Sequence, residues 1–316
     1  MIEGIQHIAV LKGGPSAEHE VSLRTGAAVA EALRGLGYRV DEVLLTGRDF
    51  AIPAGVDFVF LSLHGTFGED GEVQALLEKR GYPYTGSGME ASRLAFDKEA
   101  SKERFRACGV PTPGGITLAK GEPIPAVLDL PLVVKPSRQG STVGMSFVFE
   151  PAEIAPALRK AWEYDERVLV EAYVKGREFT VGILGDEALP LLEVVPKQGF
   201  YDYDNKYTVG ATDHYCPAHL DAAKTAEIQK HALAAHRALG CSVYSRVDVL
   251  LDGEGRPFVL EVNTIPGMTA TSLLPDAAAA AGLSFPALCE RILSLSSEAM
   301  AGTASARVVA ALPKTS

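Results

Sequence analysis

The sequence predicts a mixed α/β and α+β protein: an open parallel α/β unit at the N-terminus, then a longer part dominated by strands. Three observations carry this. Apolar runs and helical patterns alternate over the first third. Strand-like runs outnumber helical ones after about residue 90. Near the C-terminal end, Ser245 to Leu251 and Pro257 to Val262 flank the turn Asp252-Gly253-Glu254-Gly255, a hairpin signal.

The elements follow in order. Ile8 to Leu11 reads as a strand ending at Gly13-Gly14. A helix is expected from about Ser22, with Val29, Leu33 and Leu36 at helical spacing and Gly37 as its stop. Arg39 to Leu45 is a second strand. Val56 to Leu63 is a third, apolar on both faces as in a covered parallel sheet. Glu72 to Lys79 is helical. Ligands of such a unit sit at the C-terminal ends of its strands, here Gly13 to Glu20 and His64 to Gly71. A boundary is expected near Gly86 to Glu90. Asp97 can cap a helix that runs to Ala107 and is stopped by Gly109 and Pro111. Strands are expected at Leu132 to Lys135, Met145 to Phe149, Val168 to Tyr173 and Glu178 to Leu184, with a helix from Pro151 to Tyr164 among them. Leu189 to Val195 is a further strand. A polar, aromatic loop from Lys197 to Gly210 and a helix from about Ala222 to Leu239 precede the hairpin. The Ala/Ser/Thr-rich tail beyond about Ser297 is expected to fray.

Composition narrows the class. The chain has 316 residues, enough for two or three domains, and 47% hydrophobic content supplies a core. A net charge of −10 argues against a broad nucleic-acid surface but allows a local basic pocket. Cys108, Cys216, Cys241 and Cys289 are far apart, which indicates neither a zinc site nor a disulfide framework. No leader pattern and no apolar run of membrane-spanning length is seen, so no membrane partner is expected and the cytoplasm is the default compartment.

The hairpin carries the strongest chemical signal. Strand alternation puts Glu261 and Asn263 on one face, and Asp248 can face them from the paired strand. Hard divalent cations take such oxygens, usually together with substrate phosphates. The alternative is a hairpin with solvated acids, but an acid among Val247, Val249, Val259, Leu260 and Val262 needs a partner or a metal. Pro136 to Met145, after a strand ending in Lys135, is a glycine- and hydroxyl-rich loop whose backbone N–H groups can approach phosphates. It is not a Walker A loop, and a plain β-turn is equally compatible. Glu171 and Glu178, at strand ends, can accept from ribose or adenine groups or stand as edge-strand charges. Gly86-Ser87-Gly88-Met89-Glu90-Ala91 fits G-x-G-x-x-A, but its late position favours a tight turn into a helix over a dinucleotide site. The loop Phe200 to Tyr207 reads as a functional lid or as a surface loop.

Together these segments resemble the D-alanine–D-alanine ligases of the ATP-grasp superfamily, from about Ile8 to Leu295. The matching runs keep their order: Gly13 to Ser22, Leu63-His64-Gly65 with Gly68 to Gly71, Tyr84 to Gly88, Asp97-Lys98, Val134 to Gly144, Glu178 to Val181, Tyr201 to Tyr207, Arg246 to Asp248, and Glu261 to Thr269. The resemblance implies an N-terminal domain over 1–89 that binds the first D-alanine. A two-domain ATP-grasp fold follows, split into 90–175 and 176–296, with a flexible tail over 297–316. It implies two steps: ATP phosphorylates one D-alanine carboxylate, and the amine of a second D-alanine displaces phosphate to give D-alanyl-D-alanine for peptidoglycan. Two Mg²⁺ ions, replaceable by Mn²⁺, would sit on Asp248, Glu261 and Asn263. Lys98 and Lys135 would hold the ATP phosphates under the Ser141 to Gly144 loop, Lys206 would reach the nucleotide, and Glu171 and Glu178 would lie on the adenine and ribose side with Glu261 also at the nucleotide. Glu18, with His64 nearby, would bind the first ammonium, and Ser272 and Leu273 the second carboxylate. Arg246 and the N–H of Gly267 would face the oxyanion. Ser141 and Tyr207 would link the loop to Glu18, with tyrosine at 207 favouring a peptide over an ester product. A homodimer is the family expectation. Ser245 stands where glycine is expected, and Thr142 where many relatives repeat serine. A ligase for D-serine, a silent nucleotide sensor and an NAD-dependent dehydrogenase are the competing readings.

Overall fold

In a computed structural model, residues 1–125, 129–140, 142–197, 212–269 and 271–311 are described, with side chains to residue 302. The N-terminal unit is a parallel sheet of β1 (His7–Gly13), β2 (Arg39–Leu45) and β3 (Phe58–Leu61) in the order β2-β1-β3. Ile8, Ala9, Val10 and Leu11 are all fully buried, as a strand covered on both faces requires. The crossover helix α1 (His19–Gly35) starts three residues before the expected Ser22. The reason is that Ser22 does not cap. Its buried hydroxyl accepts from Gly13 N at 2.8 Å and donates to Ser62 O at 2.6 Å, tying two strand ends to the helix. Gly13 makes the turn out of β1 at φ +88°, where a Cβ would lie 2.7 Å from Leu45 O.

Helices α2 (Glu72–Arg80), α3 (Met89–Phe96) and α4 (Lys98–Ala107) lead out of this unit. Gly86 to Gly88 is the tight turn into α3, and the Asp97 side chain caps α4 by accepting from Ala100 N at 3.1 Å. A four-stranded antiparallel sheet follows, β4 (Gly115–Ala119), β5 (Leu132–Pro136), β6 (Ser146–Val148) and β7 (Arg167–Ala172), in the order β4-β7-β5-β6. Helix α5 (Pro151–Ala161) covers it, burying Ala157, Leu158 and Ala161 against Val134 and Val168.

The third sheet holds β8 (Gly176–Leu184), β9 (Glu187–Ala188), β10 (Leu192–Pro196), β11 (Thr212–Tyr215), β12 (Tyr244–Asp252) and β13 (Pro257–Asn263). Its order is β11-β10-β8-β12-β13, with β9 on β8. Helix α6 (Ala222–Ala238) packs Ile228, Ala232 and Ala235 on Phe179, Val181, Val247 and Val249. Helices α7 (Leu273–Ala280) and α8 (Phe285–Ala311) close the chain. Helix α8 continues past Ser297, where the sequence predicts a frayed tail, because the alanines that look like linker also favour helix. Its Leu288, Ile292 and Leu293 join Val29, Leu33 and Tyr244 in one core, which fixes the N-terminal unit against the third sheet.

Candidate functional site

The hairpin β12–β13 pairs in a register that places Asp248 opposite Glu261 and Arg246 opposite Asn263. A bulge follows at once, since Val249 pairs with Val259 and leaves Leu260 over. Such a bulge re-aims side chains at the end of a ladder. Arg246 lies in a two-pronged contact with Asp248, Nε to Oδ1 at 2.9 Å and Nη2 to Oδ2 at 2.8 Å, and Thr180 donates to the same carboxylate at 2.8 Å. The fork geometry fixes the guanidinium plane. Lys98, the first residue of α4, reaches Glu261 at 3.1 Å and donates to Gln139 O at 2.7 Å.

Two cavities adjoin this hairpin. One, of about 350 Å³, is lined by Lys135, Phe147, Glu171, Tyr173, Glu178 and Asp248 among others. The second, of about 370 Å³, is lined by Glu18, His64, Glu69, Arg246, Asn263, Gly267, Ser272 and Leu273 among others. Lys98, Gln139 and Glu261 face both. Every site residue expected from the sequence lines one of the two, apart from Ser141, Lys206 and Tyr207. Those three, with the loop Phe200 to Tyr207, lie outside the described residues.

The first cavity is lined by lysines, carboxylates and aromatic rings. Lys135, at the end of β5, contacts Glu171 at 2.5 Å, and Phe147 and Tyr173 meet edge to face at 5.6 Å. Both Glu171 oxygens face ammonium groups, the second being that of Lys102 at 2.7 Å. Burial works to raise the Glu171 carboxyl, but Lys135 and Lys102 outweigh it and hold the group below the usual glutamate value.

The second cavity is built on the ends of β1 and β3. Ser16 donates to His64 O at 2.6 Å and accepts from Glu18 N at 3.2 Å, which folds the Pro15–Glu18 turn onto the His64 loop. Backbone at Gly65 and Gly140 runs against the Glu18 carboxylate, where a Cβ would meet Oε2 at 3.0 and 2.8 Å respectively. The loop after Lys135 therefore already touches the second cavity. His64 Nδ1 lies 3.0 Å from Ile265 O, so that nitrogen carries the proton, and Nε2 accepts from Thr25 at 3.0 Å. Burial pushes its pKa down against the pull of Glu18, so the ring is neutral. Glu69 accepts from Gly65 N at 2.7 Å while its Oε1 is buried without a partner among the described residues. Burial, then the Glu18 charge, raise its carboxyl well above the usual value. Ser272 stands just before α7, where its hydroxyl accepts from Thr269 N at 3.0 Å. The N–H groups of the first turn of that helix are disposed towards an anion.

The sequence reading missed Glu69, Gln139 and Lys102 as site residues. Glu69 lay inside a noted segment but gave no sign of burial. Lys102 stands four residues after Lys98 on a helix, the spacing that puts two side chains on one face, and that signal was available.

The donors at the hairpin suit a hard divalent cation. They are two opposed carboxylates and one amide oxygen, and the Asn263 Oδ1 accepts only from Ile265 N at 3.1 Å among the described contacts. Among the described residues no group of three or more His, Cys, Asp or Glu is placed to hold a metal. Since Asp248 and Glu261 already have Arg246 and Lys98 beside them, an ion here would depend on the phosphates of a bound nucleotide for the rest of its shell.

Comparison with known proteins agrees with this layout. Residues 42–87 match the family model for the D-Ala D-Ala ligase N-terminus, and residues 117–294 that for its C-terminus. A D-alanine–D-alanine ligase of Methylacidiphilum infernorum is 52% identical over 291 residues, covering 92% of this chain and 95% of that protein. The crystal structure of a Bacillus anthracis D-alanine–D-alanine ligase complexed with ATP superposes with a TM-score of 0.83 at 37% identity, covering 93% of this chain and 98% of that one. The VanG D-Ala:D-Ser ligase of Enterococcus faecalis superposes with a TM-score of 0.82 at 30% identity, over 92% and 99%.

Proposed function

The chain belongs to the D-alanine–D-alanine ligase family, and from that premise we propose which of its residues carry each part of the work. It is an ATP-dependent ligase that joins two D-alanines into D-alanyl-D-alanine, a peptidoglycan precursor. The observation that best supports the assignment is the shared wall: Lys98 and Glu261 face both cavities, so a nucleotide in one and an amino acid in the other meet there.

ATP occupies the first cavity. Its base and ribose lie towards Glu171 and Glu178, with the Glu171 carboxylate held by its lysines. Its phosphates lie towards Lys135 and Lys98 under the 136–144 loop, and Ser141 and Lys206 complete this grip by family resemblance. The first D-alanine occupies the second cavity with its ammonium on Glu18 beside neutral His64. Its carboxylate oxygen attacks the γ-phosphorus as the bond to the ADP oxygen breaks, giving an acyl phosphate. The second D-alanine enters with its carboxylate at Ser272 and the start of α7, near Leu273. Its neutral amine attacks the acyl carbon, and Arg246 with the Gly267 N–H faces the negative oxygen that develops there. The carbonyl re-forms as the bond to the phosphate oxygen breaks, and the phosphate leaves with the proton that the new amide nitrogen sheds. By family resemblance, Tyr207 and Ser141 would link the loop to Glu18 in this step. Asp248, Glu261 and Asn263 would hold the metal, two Mg²⁺ ions or Mn²⁺ in their place, and bound metal neutralises charge on the phosphates.

The same proposal includes three domains, 1–89, 90–175 and 176–296, a homodimer, and action in the cytoplasm. Among the described residues no single helix is long and apolar enough to cross a membrane. The test is phosphate release from Mg·ATP with D-alanine, L-alanine, D-serine or no amino acid. The expected result is release that needs D-alanine and yields one dipeptide per phosphate. Equal release without D-alanine, or release driven by D-serine alone, would overturn the reading.

A further inference from the structure

Lys102 belongs to none of the segments that carry the family resemblance, and its side chain is buried to 1% exposure. Its ammonium contacts Glu171 Oε2 at 2.7 Å and donates to Thr112 Oγ1 at 2.8 Å. Thr112 donates onward to Val259 O at 2.8 Å, and Val259 N donates to Pro111 O at 2.8 Å. Val259 lies on β13 two residues before Glu261. A continuous polar chain therefore runs from the floor of the nucleotide cavity, through α4, to the strand that carries the proposed metal ligands. Glu171 sits in its middle with Lys135 on its other oxygen at 2.5 Å. Lys135 lines the nucleotide cavity and Lys102 does not.

The arrangement has an electrostatic logic. One buried carboxylate faces two ammonium groups, so the cluster carries a surplus positive charge. Without Lys102 the cluster becomes a one-to-one pair in which the Lys135 charge is cancelled by Glu171. Burial pushes the Lys102 ammonium down to about 8, with Glu171 pulling the other way, so its charge depends on that contact. Were Lys102 absent, Lys135, which already lies on Glu171 Oε1 at 2.5 Å, would be its only counter-ion among the described residues and would be held there more firmly. Its charge would then be spent inside the protein and not on a phosphate.

We propose that Lys102 is a positioning residue for ATP: it neutralises Glu171 so that the Lys135 charge is left for the phosphates, and through Thr112 it holds the nucleotide floor in register with β13. The inference rests on the ligase reading and deepens it.

The test is calorimetric titration of the full-length protein with Mg·ATP, which needs no turnover, together with the KM for D-alanine. Lys102→Met is expected to weaken ATP binding about tenfold and leave the D-alanine KM within about twofold. In a Glu171→Gln background the same substitution is expected to change ATP binding by less than about twofold, because there is no longer a carboxylate to capture Lys135. A packing role would give the same loss in both backgrounds. Should Lys102→Met not fold, Thr112→Val decides. It removes one hydroxyl at nearly constant volume and is expected to weaken ATP binding about threefold. Unchanged ATP affinity in the variant that folds, or equal losses with and without Glu171, overturns the inference. Failure of the wild-type protein to release phosphate with D-alanine would overturn the ligase reading instead, and the titration would still report on Lys102.

Discussion

Gly140 is the position where one added carbon is most informative. Its Cβ would stand 2.8 Å from Glu18 Oε2, the mobile end of a side chain, so the carboxylate can swing away at little cost to stability. Gly140→Ala is expected to raise the D-alanine KM about tenfold, to leave ATP binding within about twofold, and to unfold at a nearly unchanged temperature. Steady-state kinetics with each substrate varied in turn checks this, and an equal change in both constants counts against Glu18 as the ammonium site. Arg246→Lys keeps the charge but loses the two-pronged contact with Asp248. A loss of about a hundredfold in kcat is expected, the scale seen when one oxyanion donor goes. A kcat within threefold of wild type would remove Arg246 from that role. Asp248, Glu261 and Asn263 were legible in the sequence because strand alternation places them on one face among apolar neighbours, and Arg246 through the family resemblance. Glu69 was not. Its burial depends on how the 65–71 loop closes on Gly65 N, which no local pattern encodes.

The elements show the same division. Long apolar strands and capped helices were readable within a few residues. Strands β4, β9 and β11 were missed, since Gly115–Ala119, Glu187–Ala188 and Thr212–Tyr215 are short, mostly only half-buried or exposed, and defined by the strands they pair with. Ser245, unexpected from its relatives, gains a reason at this scale. Its buried hydroxyl shares a 2.7 Å hydrogen bond with His236 Nδ1 on α6, joining that helix to β12 beside Arg246. Burial, then Arg237, push the His236 pKa down to about 4. Between about pH 6.5 and 4 the unfolded chain binds a proton that the folded chain refuses, so stability falls as pH falls through that window. The full effect is about 3 kcal/mol. Thermal unfolding at pH 7 and pH 5 is expected to show a smaller drop for His236→Gln than for wild type. Equal drops would mean that His236 is not held neutral.

At the scale of the molecule, three sheets converge on one hairpin, and contacts distant in sequence hold them there. Ser87 donates to Ser242 O at 3.3 Å and accepts from Ser242 N at 3.1 Å, 155 residues apart. No window of sequence predicts that meeting. On the proposal that the hairpin and the nucleotide together hold a metal, a chelator is expected to stop D-alanine-dependent phosphate release without changing the far-ultraviolet circular dichroism, and excess Mg²⁺ to restore it. Persistent release in the chelator would exclude Asp248, Glu261 and Asn263 as ligands of an essential ion. The wall of Lys98 and Glu261 between the cavities has one more consequence. Two ligands that press on the same ion pair cannot bind independently. Whatever factor ATP applies to the affinity for D-alanine, D-alanine must apply to the affinity for ATP, with the same sign and size. Order of addition can then change how fast the ternary complex assembles, but not how tightly it is finally held.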